Sequence, residues 1–430
     1  MKNFICAFVY LLLATPCSAQ IITVDDDGSA DFNDIQQAIV SAVDGDIIKV
    51  QPGVYLGNIN FYGKAVTVTS TDQNDPNIVA STVIDRREEF HSVRFDCGED
   101  SNTALIGFTV RATNLAKYKG CGITCYYSSP LIKNNVVVQH ETGILGESAY
   151  PTLLNNYIHD NSGSGIADCG GVVRDCIIEN NGAYGLAYCD ATITNCVISH
   201  NLETGLLFCD GSIKNCIISK NGEGLMGGSA QVKNCTIVYN TIGNGLHNCQ
   251  GEIKNCIIAF NGKYGLNSCT GTTKYNDVWD NAWGNYAGGT LQGFGDIHAD
   301  PLFESQDNYH LRSQAGRWDA GLKQWIIDDV TSPCIDAGDP NSDWAAELWP
   351  HGKRINMGAY GGTPQASMSL ANLGNIADLN TDGFVHHADM TLLMGKWLCN
   401  STLLPEDLDR NGIINFSDFA IIAENWLWKE

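Results

Sequence analysis

Two twelve-residue stretches near the C-terminus carry oxygen-bearing side chains at matching places. Residues 378–389 read Asp-Leu-Asn-Thr-Asp-Gly-Phe-Val-His-His-Ala-Asp, and residues 407–418 read Asp-Leu-Asp-Arg-Asn-Gly-Ile-Ile-Asn-Phe-Ser-Asp. Each has Asp or Asn at positions 1, 3, 5 and 12 and Gly at position 6. Hard oxygen donors at that spacing, with Gly for the sharp turn and a backbone carbonyl at position 7, are the chemistry of a calcium loop. The expected ligands of one ion are Asp378, Asn380, Asp382, Phe384 (carbonyl) and Asp389. Those of a second are Asp407, Asp409, Asn411, Ile413 (carbonyl) and Asp418. Position 12 is Asp where Glu is usual, so the following helix must approach differently. Apolar stretches at 390–398 and 419–428 supply those helices.

A second set lies in the middle of the chain. His200, Lys220 and Tyr239 recur at spacings of 20 and 19 residues, with His159 and Asp160 nearby. If a unit of that length stacks, the three fall within about 10 Å of one another. Base and cation would then converge as proton abstraction beside a carboxylate requires. A mixed column is equally what a solvated face looks like. Arg86, Arg87 and His91 form a smaller cluster upstream. No acidic triad recurs at the unit's spacing.

The elements that must position these groups are legible as a repeat. Between residues 155 and 281 a unit of the form N-C-x-I-x-x-N, then G-L or G-I, then C recurs. Asn161, Asn181, Asn201, Asn221, Asn240, Asn261 and Asn281 lie 20, 20, 20, 19, 21 and 20 residues apart. Gly165 to Gly265 and Ile166 to Leu266 follow in step. Each unit offers short apolar stretches broken by Asn and Gly, which tolerate positive φ at tight turns. Twenty residues cannot bury their own apolar face, but stacked units can. The leucine-rich order L-x-x-L-x-L-x-x-N is absent. Three short strands per coil fit an all-β solenoid, a right-handed parallel β-helix over residues 20–310, with coils from about residue 45.

Cys176, Cys196, Cys216, Cys235 and Cys256 form one file, and Cys169, Cys189, Cys209, Cys249 and Cys269 another. Side chains in a stack point parallel, so buried thiol ladders are expected, with disulfides between coils as the alternative. A straight column does not make a tetrahedral metal site.

Residues 34–42 suit a short amphipathic helix covering the first coil. The string Asp31-Phe32, Ile35-Gln36, Gly45-Asp46, Pro52-Gly53-Val54-Tyr55 and Lys64-Ala65-Val66-Thr67-Val68 resembles the entry segment of the pectin-lyase-like superfamily. That resemblance spans most of residues 20–310 and implies the fold. Its members include lyases, hydrolases, epimerases and non-catalytic proteins. Asp300-Pro301-Leu302-Phe303 and the strings at 332–339 and 354–362 resemble the closing segments of secreted β-helix proteins. Residues 311–365 are therefore expected to cap the C-terminal end, with a linker over 366–374.

The paired loops of residues 375–430 resemble a type I dockerin domain. That resemblance implies two calcium ions and a cohesin-like docking partner. Loop positions 10 and 11, often Ser-Thr in cellulosomal dockerins, are here His387-Ala388 and Phe416-Ser417. Calcium that merely folds a small terminal domain is the plainer alternative.

Lys2, the apolar run 4–14 and Ser18-Ala19 read as a signal peptide over 1–19, and the run is too short to span a bilayer. Two of the 17 cysteines, Cys6 and Cys17, fall within it. An exported, extracellular or surface-associated protein without a membrane span is expected. The formal charge of -23 leaves nothing to neutralise phosphates, so nucleic acid is not an expected partner. Two readings stay open. One is a lyase or hydrolase on extracellular polysaccharide. The other is a non-catalytic surface or adhesion rod.

Overall fold

The computed structural model describes residues 19–86, 91–113 and 120–430. All but the last residue of the expected signal peptide lies outside them, as does Arg87. The chain winds through three parallel sheets. Sheet A has 12 strands from Ile21–Val24 to Thr273–Lys274, sheet B 11 from Gly53–Leu56 to Asp277–Trp279, and sheet C 11 from Ile59–Asn60 to Gly284–Ala287. One coil shows the plan: Ala191–Thr194 in A, Val197–Ser199 in B and Thr204–Leu207 in C. Each strand pairs with its equivalents one coil before and after.

Register sends the same side chain inward from every coil. Ile193 pairs with Ile213, Ile198 with Ile218 and Leu206 with Leu225. All six are essentially without solvent exposure. Three aliphatic files thus fill the interior, one per sheet, at the close packing that cores require.

A fourth file is polar. The Asn201 side chain donates to Asn221 Oδ1 at 2.9 Å and to the Ile178 carbonyl at 3.1 Å. Its own Oδ1 accepts from the Asn181 backbone and side chain. The pattern runs unbroken from Asn161 to Asn281. Each buried amide is fully satisfied, the condition for its burial. The Gly file makes room for it. A Cβ on Gly205 would stand 2.9 Å from Asn221 Nδ2 and 3.0 Å from Ile218 Cγ2.

The ladder asparagines are not the residues at positive φ. That conformation falls on the residue before each, including His200 (55°), Lys220 (59°) and Tyr239 (56°). The other two turns of the coil also carry one left-handed residue, Asn195 (54°) and Phe208 (46°) in the coil described.

The cysteines of the described residues are free. The first file does more than fill space. It continues an asparagine ladder: Asn135 and Asn156 precede Cys176, and Asn276 and Asp296 follow Cys256. Each thiol donates weakly to carbonyls where the amide would, as from Cys196 to Thr194 at 3.3 Å and Val173 at 3.5 Å.

The stack begins earlier than expected, because Ile21–Val24 is its first rung. Helix α1 (Ile35–Ser41) covers that end, with Asp34 accepting from the Gln37 amide. Lys64 Nζ donates to the Ile39, Val40 and Ala42 carbonyls, satisfying the helix C-terminus. Helix α2 (Pro76–Ser81) lies on an early coil.

The closing segment does not cap the end of the rod, as its position in the chain led us to expect. It packs along the outer face of sheet B. Ile335 and Met357 join Val238, Ile257 and Ala259 in a second core. Asn215 donates to the Ala359 and Gly361 carbonyls, and Asn255 accepts from the Asp339 amide. The outward residues of those coils are apolar, so a flank needed covering as much as an end. Residues 366–369 are buried in this segment, with Ser367 donating to the Leu311 carbonyl. The linker shrinks to 370–374, where the Leu373 amide still donates to the His351 carbonyl.

In the C-terminal module, α3 (His387–Gly395) and α4 (Phe416–Glu424) begin three residues before the expected helices. Asp389 and Asp418 accept from the His386 and Asn415 amides at the helix starts, so each helix nucleates inside its loop. Leu393 and Ile422, and Val385 and Ile414, form a shared core.

Four outcomes are expected. A thiol reagent should modify Cys97 and Cys399 in the folded chain, and the remaining cysteines of the described residues only after denaturation. Asn221→Ala should cost about 3 kcal/mol in urea denaturation, because it orphans several buried partners. The outward Lys214→Ala should cost under about 0.5 kcal/mol. Glu347, buried in the closing segment, accepts from the Asn356 and Gly362 amides. Burial pushes its pKa from 4.5 up to about 8. The unfolded chain loses that proton first as pH rises, so this stabilisation is full below 4.5 and lost towards 8. Glu347→Gln should flatten the fall in denaturation midpoint over that window relative to the parent chain.

Candidate functional site

The two loops fold alike. Asp378 Oδ2 accepts from the Gly383 amide at 2.9 Å, and Asp407 Oδ2 from the Gly412 amide at 3.0 Å. Asp389 Oδ1 accepts from Leu379 and Asn380, as Asp418 Oδ1 does from Leu408 and Asp409. Carboxylate oxygens of Asp407, Asp409 and Asp418 lie within 4.8 Å of one another. Asp407 is buried, and its Oδ1 has no hydrogen-bond partner among the described residues. Burial first, and then Asp418, push its carboxyl up. An orphaned buried oxygen facing two further carboxylates fits a hard divalent cation. In the first loop the Asn380 amide donates to Asp382, and His386 stands 3.5 Å from Asp382 and 3.1 Å from Asp389.

His200, Lys220 and Tyr239 occupy consecutive coils, each amide bonded to the next coil. His200 is exposed. Lys220 is ion-paired with Asp307. Its pKa is raised, chiefly by that hydrogen bond, the opposite of what a lysine base needs. The Tyr239 ring stacks on Phe260 at 5.0 Å and lies 6.3 Å from Tyr309. Residues 300–312 thus lie over the lower half of this column. A cleft of about 330 Å³ remains between Tyr239, Phe260, Phe303 and Arg312.

A further mixture of functional groups lies on the early coils, at Arg86, which ends a strand of sheet B, and at His91, Arg94 and Tyr126 on sheet C. Arg86 is buried, with Cys121 and Glu141 in its electrostatic surroundings. His91 is half-buried, and its Nδ1 has no partner among the described residues. Burial, then Arg94 and Arg86, push the His91 ring down, disfavouring its charged form. Arg94 pairs with Asp96 at 3.3 Å. Tyr126 lies near Arg94 and Glu147, and Glu147 near Asp168. Cations, an imidazole and carboxylates therefore share the early coils.

A row of aromatic rings lies along the rod. Tyr127, Tyr150, Tyr188 and Phe208 are 71%, 62%, 55% and 45% exposed. Tyr188 and Phe208 stack across one coil at 5.8 Å and 14°. Tyr127, Tyr188 and Phe208 hold the left-handed position of their turn. Asp168, Asn248, Ser268, Gly227 and Gly288 fill it on other coils, as conformational preference favours. Sequence reasoning missed this row. Its signal was present: Tyr188 and Phe208 each follow the inward Leu file by two residues.

Residues 96–242 match a family model described as a right handed beta helix region. No curated protein matches the sequence. In fold the chain resembles a pectate lyase at 15% identity, covering 80% of this chain and 96% of that one, with a TM-score of 0.50. It is also similar to an Azotobacter vinelandii mannuronan C-5 epimerase A-module (14% identity, 62% and 96% covered, TM-score 0.38). An alpha-1,3-glucanase catalytic domain gives 13%, 68%, 70% and 0.38. What the pectate lyase shares at this identity is the fold, a right-handed parallel β-helix.

Proposed function

We propose that this chain is an exported polysaccharide-binding rod carried by a calcium-folded, dockerin-like module. The row of exposed rings at Tyr127, Tyr150, Tyr188 and Phe208 is the observation that carries the reading. Holding large apolar faces in water gains nothing for folding, and the left-handed backbone beneath three of them adds strain. Exposed rings along the rod, with Arg94, Asp96 and Glu147 on earlier coils than the stacked Tyr188 and Phe208, suit a sugar chain. Its C–H faces pack on the rings and its hydroxyls bond the polar groups. Rings on several coils of one side, two of them consecutive, suit a polymer lying along the rod. The pectate lyase of similar fold acts on such a polymer. With a net charge of -23, an acidic polysaccharide would approach through Arg94 or through bridging cations.

The module supports anchoring. Phe416 and Leu427 stand 77% and 76% exposed on a small domain, and Phe416 holds loop position 10. A cohesin-like partner is the reading that resemblance suggests for this surface, with two calcium ions ordering the loops that present it.

A second reading, catalysis, draws on the half-buried His91, which lies on one strand with Arg94. The His200, Lys220 and Tyr239 column is the competing location.

The test is affinity electrophoresis in pectate and in a neutral glucan, with and without calcium. At least one polymer should retard the parent chain. Tyr188→Ala with Phe208→Ala should weaken association roughly tenfold, while Leu202→Ala on another turn should not. Retardation unchanged by the double variant would refute the assignment. Ultraviolet absorbance of unsaturated product, lost in His91→Ala or instead in Lys220→Ala, would place a lyase site. No product from any uronate polymer would leave binding alone.

A further inference from the structure

We propose that calcium in the second loop clamps the C-terminal module onto the flank of the rod, with Arg410 as the clamp; this rests on the calcium reading of that loop. Arg410 is loop position 4 and adopts a left-handed backbone, φ 58°. Its Nη1 donates to the Leu404 and Asp407 carbonyls at 3.1 and 2.9 Å. Its Nη2 reaches the Trp349 carbonyl of the closing segment at 3.3 Å. One side chain therefore ties the first ligand residue of the loop to the rod. Burial lowers the Arg410 pKa, but Asp407 and Asp418 oppose that, and the guanidinium stays charged throughout.

The first loop has no equivalent. Its position 4 is Thr381, too short to reach across. The remaining direct bonds also come from the second half of the module and the chain end. Trp325 Nε1 donates to the Thr402 carbonyl at 3.3 Å, and Lys353 pairs with Glu430. Leu403 meets Tyr360, Thr363, Pro364 and Gln365 across a cleft of about 390 Å³. A junction of few polar bonds around an open cleft can come apart, as small interdomain contacts do.

The link to calcium is geometric. Asp407, Asp409 and Asp418 converge within 4.8 Å, and the unpartnered Asp407 Oδ1 is buried among them. A cation there offsets their repulsion and fixes the loop. The loop fixes the Asp407 carbonyl, one of the two that hold Arg410. Arg410 then meets the Trp349 carbonyl in the right orientation. Without the cation the like charges push the loop open and the clamp loses its seat.

The experiment uses the full chain. Calorimetry counts calcium ions bound, and limited proteolysis follows cleavage within 370–374, where Leu370 and Leu373 are exposed. Calcium should protect the parent chain there and lower its radius of gyration in small-angle scattering. Arg410→Ala should still bind two calcium ions while cleavage rises about tenfold. Lys353→Ala, which leaves the loop untouched, should move cleavage in the same direction and guards against misfolding of the first variant. Asp407→Asn should lose one ion and the protection together. Two ions bound with cleavage indifferent to calcium, or unchanged in Arg410→Ala, overturns the clamp and leaves the calcium reading standing. No calcium bound overturns both.

Discussion

The structure depends on one interaction, the amide-to-amide hydrogen bond that passes from coil to coil inside the rod. Sheet pairing alone would let neighbouring coils slip, since backbone ladders are blind to side-chain identity. A slip by one residue would turn every inward side chain outward. The asparagine file forbids it. Each buried amide is satisfied only when its neighbour stands directly above and below, and an unsatisfied one costs more than a bond gains. The adjoining glycines are the steric counterpart of this rule, because the amide of the next coil occupies the space a Cβ would need. Register once fixed, every other position becomes a file, whether aliphatic, thiol, left-handed or aromatic.

Files explain why function can be read from a surface of this kind. A group that recurs once per coil presents the same chemistry at regular intervals along the axis. Where the chain meets its own needs, it uses those files: Asn215, Asn234 and Asn255 bond the closing segment. Where nothing of the chain covers them, as at Tyr188 and Phe208, the repeated group faces water. Earlier coils of the rod carry Arg94, Asp96 and His91.

Much of this was legible because the period is short and local. The ladder, both cysteine files and the covering helix all follow from spacing or from a few adjacent residues. What was not legible depends on long-range packing. Nothing in residues 354–362 announces that they lie on the outer face of sheet B, because the apolar residues that receive them alternate on strands over 90 residues away. The first rung at Ile21–Val24 was hidden by the helix that separates it from the next. The thiol file looked like simple filling, because only the structure shows Asn156 and Asn276 continuing it at either end. The helix starts in the module moved because Asp389 and Asp418 serve both as loop position 12 and as helix caps.

The most direct test of the account removes one coil. Excision of residues 156–175 joins Asn155 to Cys176, deletes one repeat of each file and leaves all neighbours in register. Circular dichroism should retain the β signature, and the chain should unfold cooperatively at a slightly lower denaturant concentration. Excision of 156–165, half a coil, should abolish the fold. Equal loss of structure from both deletions would contradict a rod held in register by its interior ladder.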